Sequence, residues 1–162
     1  MKNKVLIVGA GLAGVEAAHY LSSRGVGVVL VEAKRIKLNP AQKIPTFAEL
    51  VCTNSLKSKD PNSAHGLLKT EMLALDSLVL EKGQQAAVPA GDALAVDREE
   101  FSRLITEAME SNPNVEVVDL EVTDPLETAE KFNCNQIIIA TGPLTTDGLS
   151  TWIQDKVCGE DF

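Results

Sequence analysis

Three observations predict an α/β fold built around a parallel sheet. An apolar run at residues 5–8 leads directly into glycines at positions 9, 11 and 14. A helical pattern follows, and a second apolar run over residues 26–31 ends on a carboxylate, Glu32. Strand, glycine turn, helix, strand and acid, in that order, make the β–α–β unit of a Rossmann-type nucleotide site.

The first strand is apolar at every position, as expected where both faces of a parallel sheet are covered. The turn Gly9-Ala10-Gly11-Leu12-Ala13-Gly14 matches G-x-G-x-x-G. Gly9 permits the tight turn, Gly11 lets a pyrophosphate reach the backbone without meeting a Cβ, and Gly14 lets helix and strand pack closely. The helix behind it places Ala17, Ala18 and Leu21 on one face and stops at Gly25. Its N-terminus offers free N–H groups to phosphates. Glu32 is placed to accept hydrogen bonds from ribose hydroxyls, and its charge disfavours the 2′-phosphate of NADP in this site. Gly9, Ala10, Gly11, Leu12, Ala13, Gly14 and Glu32 are therefore candidate cofactor-binding residues. A glycine turn that only packs helix on sheet, with Glu32 a solvated strand end, uses the same residues and stays open here.

Between Ala33 and Ser63 the periodicity fails. This stretch holds Pro40, Pro45, Pro61 and Lys34, Lys37, Lys43, Lys57 and Lys59. A long irregular segment beyond the end of a central strand faces the ligand crevice of such folds. Residues 66–81 read as one helix with Leu68, Met72, Leu75 and Val79 turned inward. Asp97 and Glu100 form a capping box for a helix with Phe101, Leu104, Ile105, Ala108 and Met109 on its apolar stripe. Asn112-Pro113-Asn114 ends that helix, and residues 115–122 read as a strand. Residues 136–140 are a further buried strand, closing on Thr141-Gly142-Pro143. That strand resembles the "ATG" strand of flavoproteins of the glutathione-reductase-like class, where it returns to the nucleotide site. The likeness favours FAD over NAD as the bound dinucleotide and adds Thr141 and Gly142 to the cofactor-binding candidates.

Composition narrows the function classes. The formal net charge is −8, which argues against strong RNA binding by this chain alone. With four Phe, one Trp and one Tyr, a base-stacking platform is not expected. No apolar stretch approaches the length of a bilayer span, so no membrane partner is expected, and no DNA. Cys52, Cys134 and Cys158 lie far apart with no CxxC pair, which reads as reduced thiols in a cytoplasmic protein without a metal site. His19 and His65 are single, with His19 expected as an exposed or capping helix residue.

The stretches IVGAGLAGVEAA, FAELVCTNSLKS, HGLLKTEM, VPAGDALAVDREEFS and IIIATGPLT together resemble the folate- and FAD-dependent tRNA (uracil-5-)-methyltransferases. The resemblance runs from about residue 5 to the last residue. It implies a reductive methylation: methylenetetrahydrofolate supplies a one-carbon unit, reduced FAD passes it to a uracil of tRNA, and NAD(P)H re-reduces the flavin. It also implies that Cys52, in Leu50-Val51-Cys52-Thr53-Asn54, is one of two functional cysteines and adds to the uracil ring. From the residues alone, Cys52 stands between a small buried hydrophobe and a reactive thiol. Cys134 and Cys158 are expected to be structural. Asp92 departs from the small or neutral residue of the family's VPAG-x-ALAVDR pattern.

The family continues well beyond residue 162, so the expectation is a single FAD/NAD(P)-binding domain over 1–162, an N-terminal fragment with an incomplete sheet. Its irregular active-site segment is expected at about 33–63. A generic FAD-dependent oxidoreductase and a nucleotide-binding module without catalysis are the alternatives.

Overall fold

The computed structural model describes residues 4–158. In chain order, β1 (Lys4–Val8), α1 (Leu12–Ser22) and β2 (Gly27–Glu32) form the expected β–α–β unit. β3 (Ser55–Ser58), α2 (Ala64–Ala74), α3 (Leu78–Gln85), β4 (Ala87–Val88), β5 (Ala93–Val96) and α4 (Arg98–Glu110) follow. β6 (Val115–Asp119), α5 (Pro125–Lys131), β7 (Gln136–Ile139), a 3-10 turn (Gly142–Leu144), α6 (Asp147–Ile153) and a π-helical turn (Gln154–Cys158) complete the set.

The main sheet runs β6-β2-β1-β7, with every pair parallel. Side chains alternate across a strand, so the continuous apolar runs of β1 and β2 feed two cores. Val5, Ile7, Val28 and Leu30 join Phe101, Ile105 and Met109 of α4 on one face. Leu6, Val8, Val29 and Val31 pack with Ala129 of α5 and Leu149 of α6 on the other. A second, antiparallel sheet, β3-β5-β4, has no counterpart in the sequence pattern. Its strands are two to four residues long, too short for alternation to register in the sequence.

Four expectations need correction. Residues 66–81 are two helices, not one, broken at Leu75-Asp76-Ser77, where Asp76 takes φ +60° and the Ser77 hydroxyl caps α3. As a result Leu68 and Leu75 are exposed, Leu75 at 66%, whereas Val79 is buried. A helical period continued straight through a cap misses the reset of the apolar stripe's phase. The strand expected at 115–122 stops at Asp119.

The strand expected to be buried at 136–140 is instead an edge, with Gln136 and Ile139 exposed. Finally, only half of the Asp97/Glu100 box forms. Asp97 Oδ1 accepts the Glu100 N–H at 3.0 Å. The Glu100 carboxylate turns to Arg103, and the Asp97 N–H donates to the Ala86 carbonyl.

The stretch after β2 is irregular but anchored. The Phe47 ring is fully buried, and both polar groups of its backbone are held by α4. Its N–H donates to Thr106 Oγ1 at 2.8 Å, and its carbonyl accepts from the Ser102 hydroxyl. The next residue, Ala48, takes φ +49° and donates its N–H to the Ala10 carbonyl at 2.9 Å. Farther on, the Val96 N–H donates to the Asn54 carbonyl at 2.9 Å and ties the segment to β5. No described helix is long and apolar enough to cross a membrane.

Candidate functional site: a nucleotide crevice

The site is built by the turn after β1. Gly9 has φ +103°, a conformation that L side chains rarely adopt, and a Cβ there would lie 2.7 Å from the Ala140 carbonyl oxygen. β7 therefore delivers Ala140 and Thr141 over this turn, as expected of the late strand. A Cβ on Gly14 would lie 1.8 Å from the Gly9 carbonyl oxygen. Gly11 is different: the nearest atom to a Cβ there is the Ala140 carbonyl oxygen, at 4.0 Å. Packing of the chain on itself thus requires Gly9 and Gly14 but not Gly11. Gly11 is open toward the crevice.

The helix behind the turn adds a second sign. A side chain caps each of α2, α3, α4 and α5, supplied by Ser63, Ser77, Asp97 and Asp124. The short α6 lacks a side-chain cap but carries Asp147 in its first turn; α1 has Gly11 at its cap position, no side-chain cap and no acid in its first turn. Its first-turn N–H groups and the positive end of its dipole remain for an anionic ligand.

A cavity of about 420 Å³ opens at the carboxyl end of the sheet, between this turn, the end of β2, the segment after it and the stretch following β7. Gly9, Ala10, Gly11, Glu32 and Thr141 line it. Leu12, Ala13, Gly14 and Gly142 are not on its wall; Ala13 instead lines an apolar groove between α1 and the end of α2. Glu32 holds the floor together, with Oε2 accepting the Ala10 N–H at 2.7 Å and Oε1 the Lys34 N–H at 2.9 Å. Two strand ends are thereby joined through one carboxylate, which keeps lone pairs for a ligand hydroxyl.

Cys52 is exposed, so it is no core hydrophobe, and it lies outside the cavity wall, next to Val51, which is on it. Cys134 is half-buried against the second core, and burial pushes its thiol pKa up. That fits a structural residue. Cys158 is exposed and lies in neither core, so the structure gives it no such role. Asp92 is exposed in the turn joining β4 to β5, where its carbonyl accepts the Lys59 N–H at 2.7 Å. Among the described residues no group of His, Cys, Asp and Glu could hold a metal ion.

Sequence reasoning missed one pair on the cavity wall. Lys34 Nζ donates to Glu49 Oε2 at 3.1 Å and to the Thr46 carbonyl at 2.8 Å. Both side chains are buried, at 4% and 8% exposure. The residues are 15 apart, so no local pattern announces them. It also missed Glu16 on α1, whose carboxylate caps α3 through the Leu78 and Val79 N–H groups. His19 turns to the Asp76 carbonyl beside it, at 3.1 Å.

Comparison with known proteins gives the geometry a family. The methylenetetrahydrofolate–tRNA-(uracil-5-)-methyltransferase TrmFO of Myxococcus xanthus is 51% identical over 156 residues, 96% of this chain and 33% of that protein. The protein of the same name from Persephonella marina is 48% identical over 159 residues, 98% of this chain and 35% of that one. For Enterococcus faecalis the figures are 46% over 162 residues, 100% and 36%. The chain therefore spans about a third of the length of the curated relatives it matches. Among solved structures, the GidA-related protein from Thermus thermophilus aligns with a TM-score of 0.42 and 21% identity, over 76% of this chain and 40% of that one. The family model described as "Glucose inhibited division protein A" matches residues 4–158, and the chain belongs to that family.

Proposed function

We propose that this chain is the FAD-binding portion of a flavoenzyme that methylates uridine at C5 in tRNA, with methylenetetrahydrofolate as one-carbon donor. The observation that carries the reaction is the identity of 46–51% to relatives named for it, across nearly the whole of this chain. The cofactor is supported by the crevice itself. An uncapped helix end, an open Gly11 and a carboxylate at the end of β2 fit the pyrophosphate and ribose of an ADP moiety. Bound FAD would supply the redox chemistry that turns the one-carbon unit into a methyl group, with NAD(P)H as the reductant.

The residues of this chain bind and position. The α1 N-terminus and Gly9, Ala10 and Gly11 take the phosphates, with Leu12, Ala13 and Gly14 forming the first helical turn behind them. Glu32 takes the ribose hydroxyls. Thr141 shapes the side of the crevice after β7, and Gly142, just behind the wall, turns the chain with φ +67°. Cys52 is the nucleophile that adds to the uracil ring, from the segment at about 33–63. Its exposure suits a group that must meet a macromolecular substrate. Residues 1–162 act as one FAD/NAD(P)-binding unit, and the complete protein works in the cytoplasm on tRNA and folate, without DNA or membrane.

Two experiments test this. A visible absorption spectrum of the purified chain with added FAD, repeated on the supernatant after heat denaturation, checks cofactor binding. Methylation of a uridine-containing tRNA by a full-length relative carrying the Cys52→Ala change checks the thiol. Unchanged turnover removes Cys52 from the reaction.

A further inference from the structure

We infer that the buried Lys34–Glu49 ion pair is a positioning device that couples occupancy of the nucleotide crevice to the setting of the Cys52 thiol. The inference rests on the nucleotide-binding reading above and gives Lys34 and Glu49 a role in it.

The connection is continuous in the structure. Glu32, the carboxylate at the nucleotide end, accepts the Lys34 backbone N–H at 2.9 Å. The Lys34 side chain then crosses to Glu49, which also lines the cavity, and holds its Oε2 and the Thr46 carbonyl. Glu49 Oε1 accepts the Lys43 N–H at 2.8 Å, so the same carboxylate closes the loop on its other side. Between these bonds the backbone is fixed by Phe47 on α4 and by the Ala48 N–H on the Ala10 carbonyl. Three residues past Glu49 comes Cys52, and its loop is tied down again at Asn54 on β5. A ligand hydroxyl arriving at Glu32 therefore meets a carboxylate bonded to the first residue of this strap, whose side chain reaches Glu49 at the other end.

The chemistry of the pair argues the same way. Two charges taken out of water pay for their desolvation, and well-packed apolar residues of similar volume commonly stabilise a fold as well or better. What the pair supplies that apolar residues would not is a fixed, directional geometry. Here it fixes the separation of residue 34 from residue 49, and hence where the thiol loop starts.

The test uses the 162-residue chain and adenosine diphosphate, which has no flavin to shield the thiol directly. Alkylation of Cys52 by iodoacetamide is followed by peptide mass spectrometry with and without saturating ADP, and ADP binding by saturation-transfer NMR. In the unaltered chain ADP slows Cys52 alkylation by about five-fold or more. In the Lys34→Met/Glu49→Leu double variant, which keeps the volume and removes both charges, the two rates coincide at an ADP concentration that the NMR titration shows to saturate that variant. Glu49→Gln, which keeps one acceptor oxygen, is run in parallel as the milder change and gives an intermediate slowing. The coupling is overturned if ADP binds the unaltered chain without moving the Cys52 rate. It is overturned equally if either variant shows the full slowing, which would be direct shielding. An unaltered chain that binds no ADP defeats the nucleotide reading, and the coupling falls with it.

Discussion

The carbonyl oxygen of Gly9 sits 1.8 Å from where a Cβ on Gly14 would be, so turn and helix touch backbone to backbone at this point. Three residues earlier, Gly11 has no atom of the chain nearer than 4.0 Å to such a Cβ. One glycine is required by the packing of the chain; the other is not, and it faces the crevice. Gly14→Ala is expected to destabilise the chain by about 3 kcal/mol or to prevent folding, since backbone cannot yield as a side chain can. Gly11→Ala is expected to leave the melting temperature nearly unchanged and to abolish ADP binding. Thermal melts with a parallel ADP titration check both, and equal stability losses would refute the division of roles.

Glu32 is expected to matter before any ligand arrives. Glu32→Ala strips the Ala10 and Lys34 N–H groups of their acceptor, a loss of about 1–3 kcal/mol in a urea melt. Its ADP affinity falls as well. A variant of unchanged stability would mean that water replaces the carboxylate at both amides.

The hydroxyls of Ser102 and Thr106 are the anchors of Phe47. Thr106→Val preserves side-chain shape but leaves the Phe47 N–H without its partner, which is expected to cost about 1–3 kcal/mol. Limited proteolysis should then cut first within residues 34–54. Cleavage elsewhere would show that the segment is held by other contacts.

Leu75 and Leu78 are the same residue type three positions apart, at 66% and 3% exposure. Leu75→Lys is expected to shift stability by no more than about 0.5 kcal/mol, whereas Leu78→Ala should remove about 2–5 kcal/mol. Matching effects would restore the continuous helix over 66–81.

Asp124 caps α5 by accepting the Leu126 and Glu127 N–H groups at 2.8 and 3.0 Å. Those bonds, the one from Glu127 foremost, hold its carboxyl below the usual aspartate range. A pKa lowered on folding contributes stability that is complete above the unfolded-state value and lost as pH falls through the folded-state value. Acid melts of the chain should therefore show a loss of stability in that window, smaller in Asp124→Asn. Superimposable pH profiles would show that the cap carries no linkage.

The β–α–β unit was legible because its signals are local and agree with one another. Apolar runs, three spaced glycines and a terminal acid lie within residues 5–32, and no tertiary contact is needed to read them. What failed depended on phase or distance. A Ser77 cap hidden in an apolar stretch split one expected helix into two and turned Leu68 and Leu75 outward. The Glu100 carboxylate found Arg103 nearer than the Asp97 amide, which had gone to Ala86. The Lys34–Glu49 pair and the Phe47 anchors join residues 15 and more apart. In sequence they look like an ordinary irregular segment with scattered charge. The exposure of Cys52 was not legible in the sequence, since it depends on how its loop is tethered.

The two margins of the main sheet are guarded unequally. β6 carries Glu116 and Asp119, engaged by Lys4 and Arg35, and such charges discourage pairing with another chain. β7 carries Gln136 and three isoleucines, with no charge and no proline, and has no outer neighbour among the described residues. Its bare ladder is a template for intermolecular cross-strand association, so this chain handled alone should self-associate through residues 136–139 as its concentration rises. A lysine introduced at Ile139, which is 38% exposed, would act as a solubility gatekeeper.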